Sequence, residues 1–174
     1  ESEVVRNISL RQLRGWKLTV GLDHGTADGK QCAMLVASTD YDTPRPRMAW
    51  LEESVNEGFT APEDDARGIK DMLSRRGLTY GDVDEWIGDV PATSDLLEIT
   101  KSNEEIRREL AKQYGIPLKN MKRIVNPAKS ARSMQTGLRT MNTIFSRRST
   151  EGVPDGIVDE RCEHFRSACL KFKG

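Results

Sequence analysis

The amino-acid sequence predicts an α/β fold in which a mixed β-sheet carries helices on both faces. Three apolar, β-branched segments come first, and helices with one apolar face then alternate with short strands. No internal repeat or long linker divides the chain, whose 174 residues have the size of one ordinary domain. The sequence therefore predicts a single domain over residues 1–174.

The three leading strands are predicted from alternating apolar residues rich in β-branched side chains. They cover Trp16–Asp23, Gln31–Ser38 and Arg47–Val55. The connection after Asp23 contains Gly25 and Gly29, so the first two strands are predicted to form a hairpin.

The remaining elements are predicted to alternate between helix and strand. The first helix has Ala66, Ile69 and Leu73 on one face and ends at Gly77. The elements predicted after it are a strand over Asp84–Asp89, a helix from Ser102 to Gly115, a strand over Met121–Val125, a helix over Ser130–Arg148, a short strand within Val153–Val158 and a helix over Cys162–Phe172.

The charge distribution is uneven although the net charge is +0. Acidic residues crowd the first half, whereas the stretch from Leu110 to Thr150 contains no Asp or Glu. A basic block beside an acidic cluster suits an enzyme that holds an anionic polymer while its carboxylates bind metal ions. The alternative interpretation of the basic block is a solvated helix surface.

Cysteine usage and hydropathy limit the class of protein. Cys32, Cys162 and Cys169 are an odd, widely spaced set, which argues against a disulfide framework and for a reducing compartment. No apolar run approaches the roughly 18 residues that span a bilayer. The sequence predicts a protein without a membrane partner that is not secreted.

Two carboxylates end predicted strands and are the candidate catalytic residues. Asp23 ends the first strand and Asp89 ends the fourth. Sites in open α/β sheets form at the carboxyl ends of strands, and two neighbouring carboxylates there favour a divalent cation. Oxygen ligands favour Mg²⁺ or Mn²⁺ over zinc. The alternative is that each acid is only a turn residue or a helix cap.

Two such ions would activate a water and stabilise the leaving oxygen of a phosphodiester. His24 follows Asp23 and is either a contact to substrate or metal or a solvated turn residue. Lys129, Arg132 and Arg139 are the predicted DNA-binding residues, and they are expected to contact phosphates rather than base edges.

Three segments carry a resemblance to a known family. They are Gly21–Gly25 (GLDHG), Trp86–Ala92 (WIGDVPA) and Val125–Leu138 (VNPAKSARSMQTGL). In their order and spacing they resemble the C-terminal nuclease domain of the large terminase subunits of tailed bacteriophages. The resemblance extends over roughly Trp16 to Phe172 and implies a ribonuclease-H-like fold.

The resemblance implies a metal-dependent endonuclease of a viral DNA-packaging motor, which hydrolyses concatemeric double-stranded DNA. It places the first metal-binding acid on Asp23 and the second on Asp89. An ATPase domain upstream, a portal and a small terminase subunit would be the partners, in the host cell cytoplasm. The chain is therefore expected to be a fragment of a longer protein.

The chain departs from the family pattern at the third acid. In the family this acid follows the late helix, whereas this chain ends at Gly174. Either the third ligand lies beyond Gly174, or Asp155, Asp159 or Glu163 supplies it.

Three other functions stay open from the sequence. The residues Gly21–Thr26 also resemble the phosphate loop of an actin-like or sugar-kinase ATPase lobe. A Holliday-junction resolvase would have the same fold and cut branched DNA. A catalytically incomplete domain that only binds DNA would account for the missing third acid.

Overall fold

The computed structural model describes the chain except for residues 1–3, 24–30, 40–42, 59–61, 89–102, 122–123, 126–130 and 172–174. The described strands are β1 (Val5–Arg6), β2 (Lys17–Asp23), β3 (Gln31–Ser38), β4 (Met48–Asn56), β5 (Glu85–Gly88), β6 (Ile124–Val125) and β7 (Gly156–Asp159). The described helices are α1 (Pro62–Ser74), α2 (Asn103–Gln113), α3 (Ala131–Ser146) and α4 (Glu163–Lys171). Three short 3₁₀ segments cover Leu10–Leu13, Tyr80–Asp82 and Leu118–Asn120.

The α/β class and the predicted order of elements are confirmed. Three leading strands are followed by helices and strands in alternation, and the described strands form one mixed, seven-stranded sheet in the order β1-β7-β4-β3-β2-β5-β6. Gly77 and Gly115, at φ +67° and +60°, follow α1 and α2 as the predicted helix stops. Strand β1 was not predicted, because two residues carry no periodicity. The placement of helices on both faces stays a prediction.

Strand β2 occupies an inner position of the sheet. It pairs in parallel with β5, with Leu22 opposite Gly88, and β5 pairs in parallel with β6. On its other side lies β3. Only seven residues, 24–30, connect β2 to β3, which is too short for a parallel crossover, so the two strands run in opposite directions.

Contacts divide the chain into two compact units. Unit 1 comprises Glu1–Leu18, Val36–Glu53 and Ala128–Gly174, and unit 2 comprises Thr19–Leu35 and Ser54–Pro127. The prediction of a single domain stays a prediction. Among the described residues, no helix is long and apolar enough to cross a bilayer.

Unit 1 has an aromatic core. Trp50 of β4 is 5% exposed and stacks between Phe145 of α3 and Phe165 of α4, at centroid distances of 4.9 and 5.3 Å. Ala49, Leu51, Ile144, Ile157 and Val158 are buried in the same unit.

Unit 2 packs α1 and α2 with strands of the sheet. Its buried side chains include Val20, Leu22, Leu35, Ile69, Met72, Leu73, Trp86, Tyr114 and Met121. The indole of Trp86 donates to the backbone oxygen of Asn120 at 3.4 Å, which ties β5 to the segment that leads into β6. Unit 2 contains the candidate site.

Candidate functional site

Polar residues of unit 2 meet where three strands begin or end. Asp23 is the last residue of β2, Gln31 is the first of β3 and Asn56 is the last of β4. The backbone bond from Thr39 N to Arg47 O joins the far ends of β3 and β4, so those strands are antiparallel. The three residues therefore lie at the same edge of the sheet.

Helix α1 brings a second carboxylate to this edge. A Cβ on Gly68 would lie 2.5 Å from the Ser54 hydroxyl, so only glycine permits this close approach of α1 to β4. One turn earlier in α1, Asp65 accepts a 2.6 Å hydrogen bond from the Asn56 side-chain amide. This bond fixes the orientation of the Asp65 carboxylate.

Tyr114 contributes a buried phenol to the same unit. It follows α2, is fully buried, and is held by the turn in which Ile116 N donates to Ala111 O at 2.9 Å. Burial raises the pKa of the Tyr114 phenol above its ordinary value, and the negative charges of Asp65 and Asp23 raise it further, while the Gln31 amide lowers it. Both carboxylates therefore act on the same hydroxyl group.

Gln31 faces the same hydroxyl from the sheet. It is 2% exposed, yet neither its Oε1 nor its Nε2 makes a hydrogen bond within the described part of the chain. The amide is close enough to the phenol to lower its pKa, but outside hydrogen-bond geometry. A buried amide without a partner costs stability, and a bound water, an ion or a ligand is among the groups that would satisfy it.

The described residues leave open space beside Gly21, on the face of β2 that Asp23 shares. Gly21 lies two residues before Asp23 and shares its face of β2. A Cβ built on Gly21 would meet no described atom within 4 Å. Asp23 itself is exposed, so a ligand can approach its carboxylate from solvent. We call Asp23, Gln31, Asn56, Asp65 and Tyr114 the strand-end cluster.

The oxygen donors of the strand-end cluster fit a magnesium-type ion in kind. They are two carboxylates and two side-chain amides, with no thiolate or imidazole among them. Across the described residues, no three His, Cys, Asp or Glu side chains are grouped so as to hold a metal ion. Mg²⁺ is commonly bound by one or two carboxylates with waters and substrate phosphates, so two acids are sufficient for a partial site.

Several predicted site residues lie outside the described residues. These are His24, Asp89 and Lys129. The last described residue before Asp89 is Gly88, which pairs with Leu22, the residue before Asp23. Asp23 therefore ends one strand, and Asp89 follows in sequence on the neighbouring strand that runs parallel to it.

Arg132 and Arg139, two of the predicted phosphate contacts, both belong to α3 in unit 1. They are seven residues apart, about two helical turns, so they share one face of the helix. Arg139 is exposed, and the side chain of Arg132 lies outside the described part.

Asp155 and Asp159, two of the alternatives for the third acid, have structural partners in unit 1. Asp155 is 2% exposed and accepts a 2.7 Å bond from Arg45 Nε. Asp159 is fully buried and accepts from the backbone of Ile8 at 2.9 Å and from Arg161 N and Nε at 3.1 and 3.2 Å. Glu163, the other alternative, is exposed at the start of α4. The contacts of the two aspartates account for their burial without a metal ion.

No family model matches this chain, and neither the curated proteins nor the solved structures contain a significant match to it.

Sequence reasoning missed four members of the strand-end cluster: Gln31, Asn56, Asp65 and Tyr114. Gln31 begins a predicted apolar strand and Tyr114 lies at the end of a predicted helix, so neither residue indicated a polar site. Asp65 had a detectable signal, because it lies four and seven residues before Ile69 and Met72, which are both fully buried. A carboxylate on the apolar face of an amphipathic helix indicates a functional or paired acid.

Proposed function

We propose that this chain is a metal-dependent endonuclease domain with a ribonuclease-H-like fold, of the type found in the large terminase subunits of tailed bacteriophages. Its substrate would be double-stranded DNA, and Asp23 and Asp89 would bind Mg²⁺ or Mn²⁺. The observation that carries the proposal is the pairing of β2 with β5, whose parallel register reaches Leu22 and Gly88 immediately before the two acids.

The position of β2 supports the proposed fold. Three consecutive strands lie side by side in the order β4-β3-β2, and the next two strands of the chain continue the sheet beyond β2. The strand that carries Asp23 is thus an inner strand, and ligands of open α/β sheets bind at the carboxyl ends of such strands.

The residues of the strand-end cluster would have different roles: some would bind an ion, and others would orient a neighbouring side chain. Asp23 is exposed and can hold an ion in contact with substrate, and Asn56 fixes the neighbouring Asp65. The Tyr114 phenol is protonated at neutral pH, as an ordinary tyrosine is, and its raised pKa strengthens that preference, so it would serve as a hydrogen-bond donor rather than a base. When bound, divalent ions supply Lewis-acid activation of water and stabilisation of the leaving oxygen.

Exposed arginines of α3 and of the two residues that follow it are the proposed DNA contacts. Arg139 and Arg147 are exposed, and Arg148 donates to the backbone oxygens of Phe145 and Arg147 at the end of the helix. Such cations bind phosphates independently of sequence, so the proposed enzyme tolerates many DNA sequences.

The test is nicking of supercoiled plasmid by the purified chain with Mn²⁺ or Mg²⁺. We expect metal-dependent nicking that falls at least about 100-fold in Asp23→Asn, because the substitution removes the anchoring charge of the metal centre. Asp71→Asn, which removes an exposed acid of α1, is the matched control and should retain activity.

The proposal is wrong if the wild-type chain does not nick DNA with either metal, or if Asp23→Asn nicks as fast as Asp71→Asn. Nicking of branched DNA alone would favour the resolvase instead. DNA binding without cleavage would favour the catalytically incomplete domain.

A further inference from the structure

We propose that unit 1 contains a second ligand site, a cavity that binds a small carboxylate carrying one aromatic or branched apolar group. Residues of β1, β7, α3 and α4 or of the segments beside them line this cavity. All of them belong to unit 1, whereas Asp23 belongs to unit 2. The site goes beyond the proposed nuclease function and is tested independently of it.

The cavity is apolar and large enough for a small molecule. It has a volume of about 190 Å³ and opens to solvent beside Cys169, which is exposed. An apolar cavity of about 150 Å³ already holds a benzene-sized molecule. Its other uncharged walls are Val4, Val5, Phe145, Val158 and Phe165. Because these side chains offer water few hydrogen bonds, an apolar group displaces water from the cavity at little cost.

Hydrogen bonds and close packing hold the walls of the cavity in place. The backbone of Val158 donates to Val4 O at 2.9 Å. A Cβ on Gly156 would lie 3.0 Å from Phe145 Cδ1, so glycine permits the close approach of α3 to β7. The rings of Phe145 and Phe165 both stack on the indole of the aromatic core, at 4.9 and 5.3 Å. Binding to such a preformed cavity costs little ordering of the protein.

Arg166 is the independent observation that points to an anionic ligand. It is half-buried and is the charged residue among the described residues that line the cavity. Its Nη1 donates to the backbone oxygen of Glu160 at 3.1 Å, and within the described part of the chain it makes no ion pair. Arg161, one turn earlier, instead contacts the carboxylates of Glu52 and Asp159. A guanidinium beside an apolar wall matches a ligand with a carboxylate next to an apolar group, because it binds carboxylates through two parallel hydrogen bonds.

The test is binding of hydrocinnamate, a phenyl ring on a short carboxylate chain, to the full 174-residue chain. Binding is measured by the shifts of backbone amide signals in an NMR titration, and hydrocinnamide is the neutral probe of the same shape. We expect a dissociation constant for hydrocinnamate in the millimolar range, as is usual for a ligand of this size. The amide should bind at least about 5-fold more weakly, because it lacks the charge-assisted bonds to the guanidinium.

Three variants locate the binding. Arg166→Gln should weaken binding of hydrocinnamate at least about 5-fold and leave binding of hydrocinnamide unchanged. Lys171→Gln is the matched control, because it removes an exposed cation of the same helix that does not line the cavity, and it should change binding less than about 2-fold. Cys169→Phe should abolish binding of both probes by filling the mouth of the cavity from an exposed position. Circular dichroism checks that each variant keeps its fold.

The inference is overturned if the wild-type chain does not bind hydrocinnamate, if hydrocinnamide binds as tightly, or if Arg166→Gln binds hydrocinnamate as tightly as Lys171→Gln. Unchanged binding in Cys169→Phe would place the probe elsewhere on the protein and also reject the site. Phe172, three residues after Cys169, is the competing occupant within the chain itself. Binding that appears only in Phe172→Ala would assign the cavity to the end of the chain instead of a ligand.

Discussion

Unit 1 and unit 2 place their carboxylates in different surroundings. In unit 1, Glu52 and Asp159 are at most 1% exposed, and the guanidinium of Arg161 contacts both. In unit 2, Asp23 is exposed at the end of β2, and Asp65 accepts a 2.6 Å hydrogen bond from the side-chain amide of Asn56. A cation of the protein itself therefore stabilises the buried acids of unit 1, whereas the 2.6 Å hydrogen bond to Asp65 comes from a neutral amide.

This difference separates acids whose charge supports the fold from the acids of the proposed site. A buried acid with a guanidinium and backbone amides has its charge balanced inside the protein. An acid beside neutral donors keeps most of its capacity to bind a cation from solution. A choice by burial alone would have selected Asp159 as the metal ligand. Asp159 is less suitable than an acid of the strand-end cluster, because Arg161 already balances its charge.

The largest expected effect is the loss of Arg161. Arg161→Ala would remove the cation at 2.9 Å from Glu52 and at 3.2 Å from Asp159, and both carboxylates would stay buried. We expect the free energy of unfolding to fall by about 3 kcal/mol in urea denaturation. Arg14→Ala, at an exposed arginine, should change it by less than about 0.5 kcal/mol. Equal effects of the two variants would mean that Arg161 does not support the acids of unit 1.

The sequence was sufficient for most of the fold because periodicity is local. The alternation in Gln31–Ser38 and the spacing of Ile69 and Leu73 predicted β3 and α1 with nearly the observed bounds. Asp23 could be selected because an apolar strand runs directly into it. The strand-end cluster could not be predicted, since it joins residues as distant in sequence as Gln31 and Tyr114, and that pairing depends on tertiary packing.

A second, smaller effect is expected at Gln31. Gln31→Met replaces the unsatisfied amide with an apolar side chain of similar shape, so the free energy of unfolding without metal should rise by about 1 kcal/mol. Mn²⁺ binding should weaken in the same variant. Ser38→Ala is the control, because Ser38 is an equally buried polar residue of β3 whose hydroxyl has no hydrogen-bond partner within the described part of the chain.

We expect Ser38→Ala to leave Mn²⁺ binding unchanged, since Ser38 ends β3 and the strand-end cluster includes the residue that begins it. A Gln31→Met variant that is less stable than the wild-type chain would show that the amide supports the fold. The contrast between the two units would then be lost at this residue.

The smallest effect is expected from Tyr114 at alkaline pH. Its pKa is raised in the folded chain, so above about pH 10 the unfolded chain releases the phenol proton while the folded chain retains it. The free energy of unfolding should then fall as pH rises, by at most about 1.4 kcal/mol per pH unit. Tyr114→Phe should show a shallower fall between about pH 10 and pH 11 in urea denaturation. Parallel curves for the two proteins would indicate that the phenol titrates normally.

The junction between β7 and α4 has a mechanical consequence. Glu53 of β4 accepts the backbone amides of His164 and Phe165 at 2.6 and 2.9 Å, in the first turn of α4. The adjacent Glu52 holds Arg161 just before that turn. A pulling force along α4 would strain these hydrogen bonds and this ion pair in shear before it strained the stacking of Phe165 on Trp50. The helix should therefore resist tension stiffly and then yield abruptly, with β4 serving as the anchor.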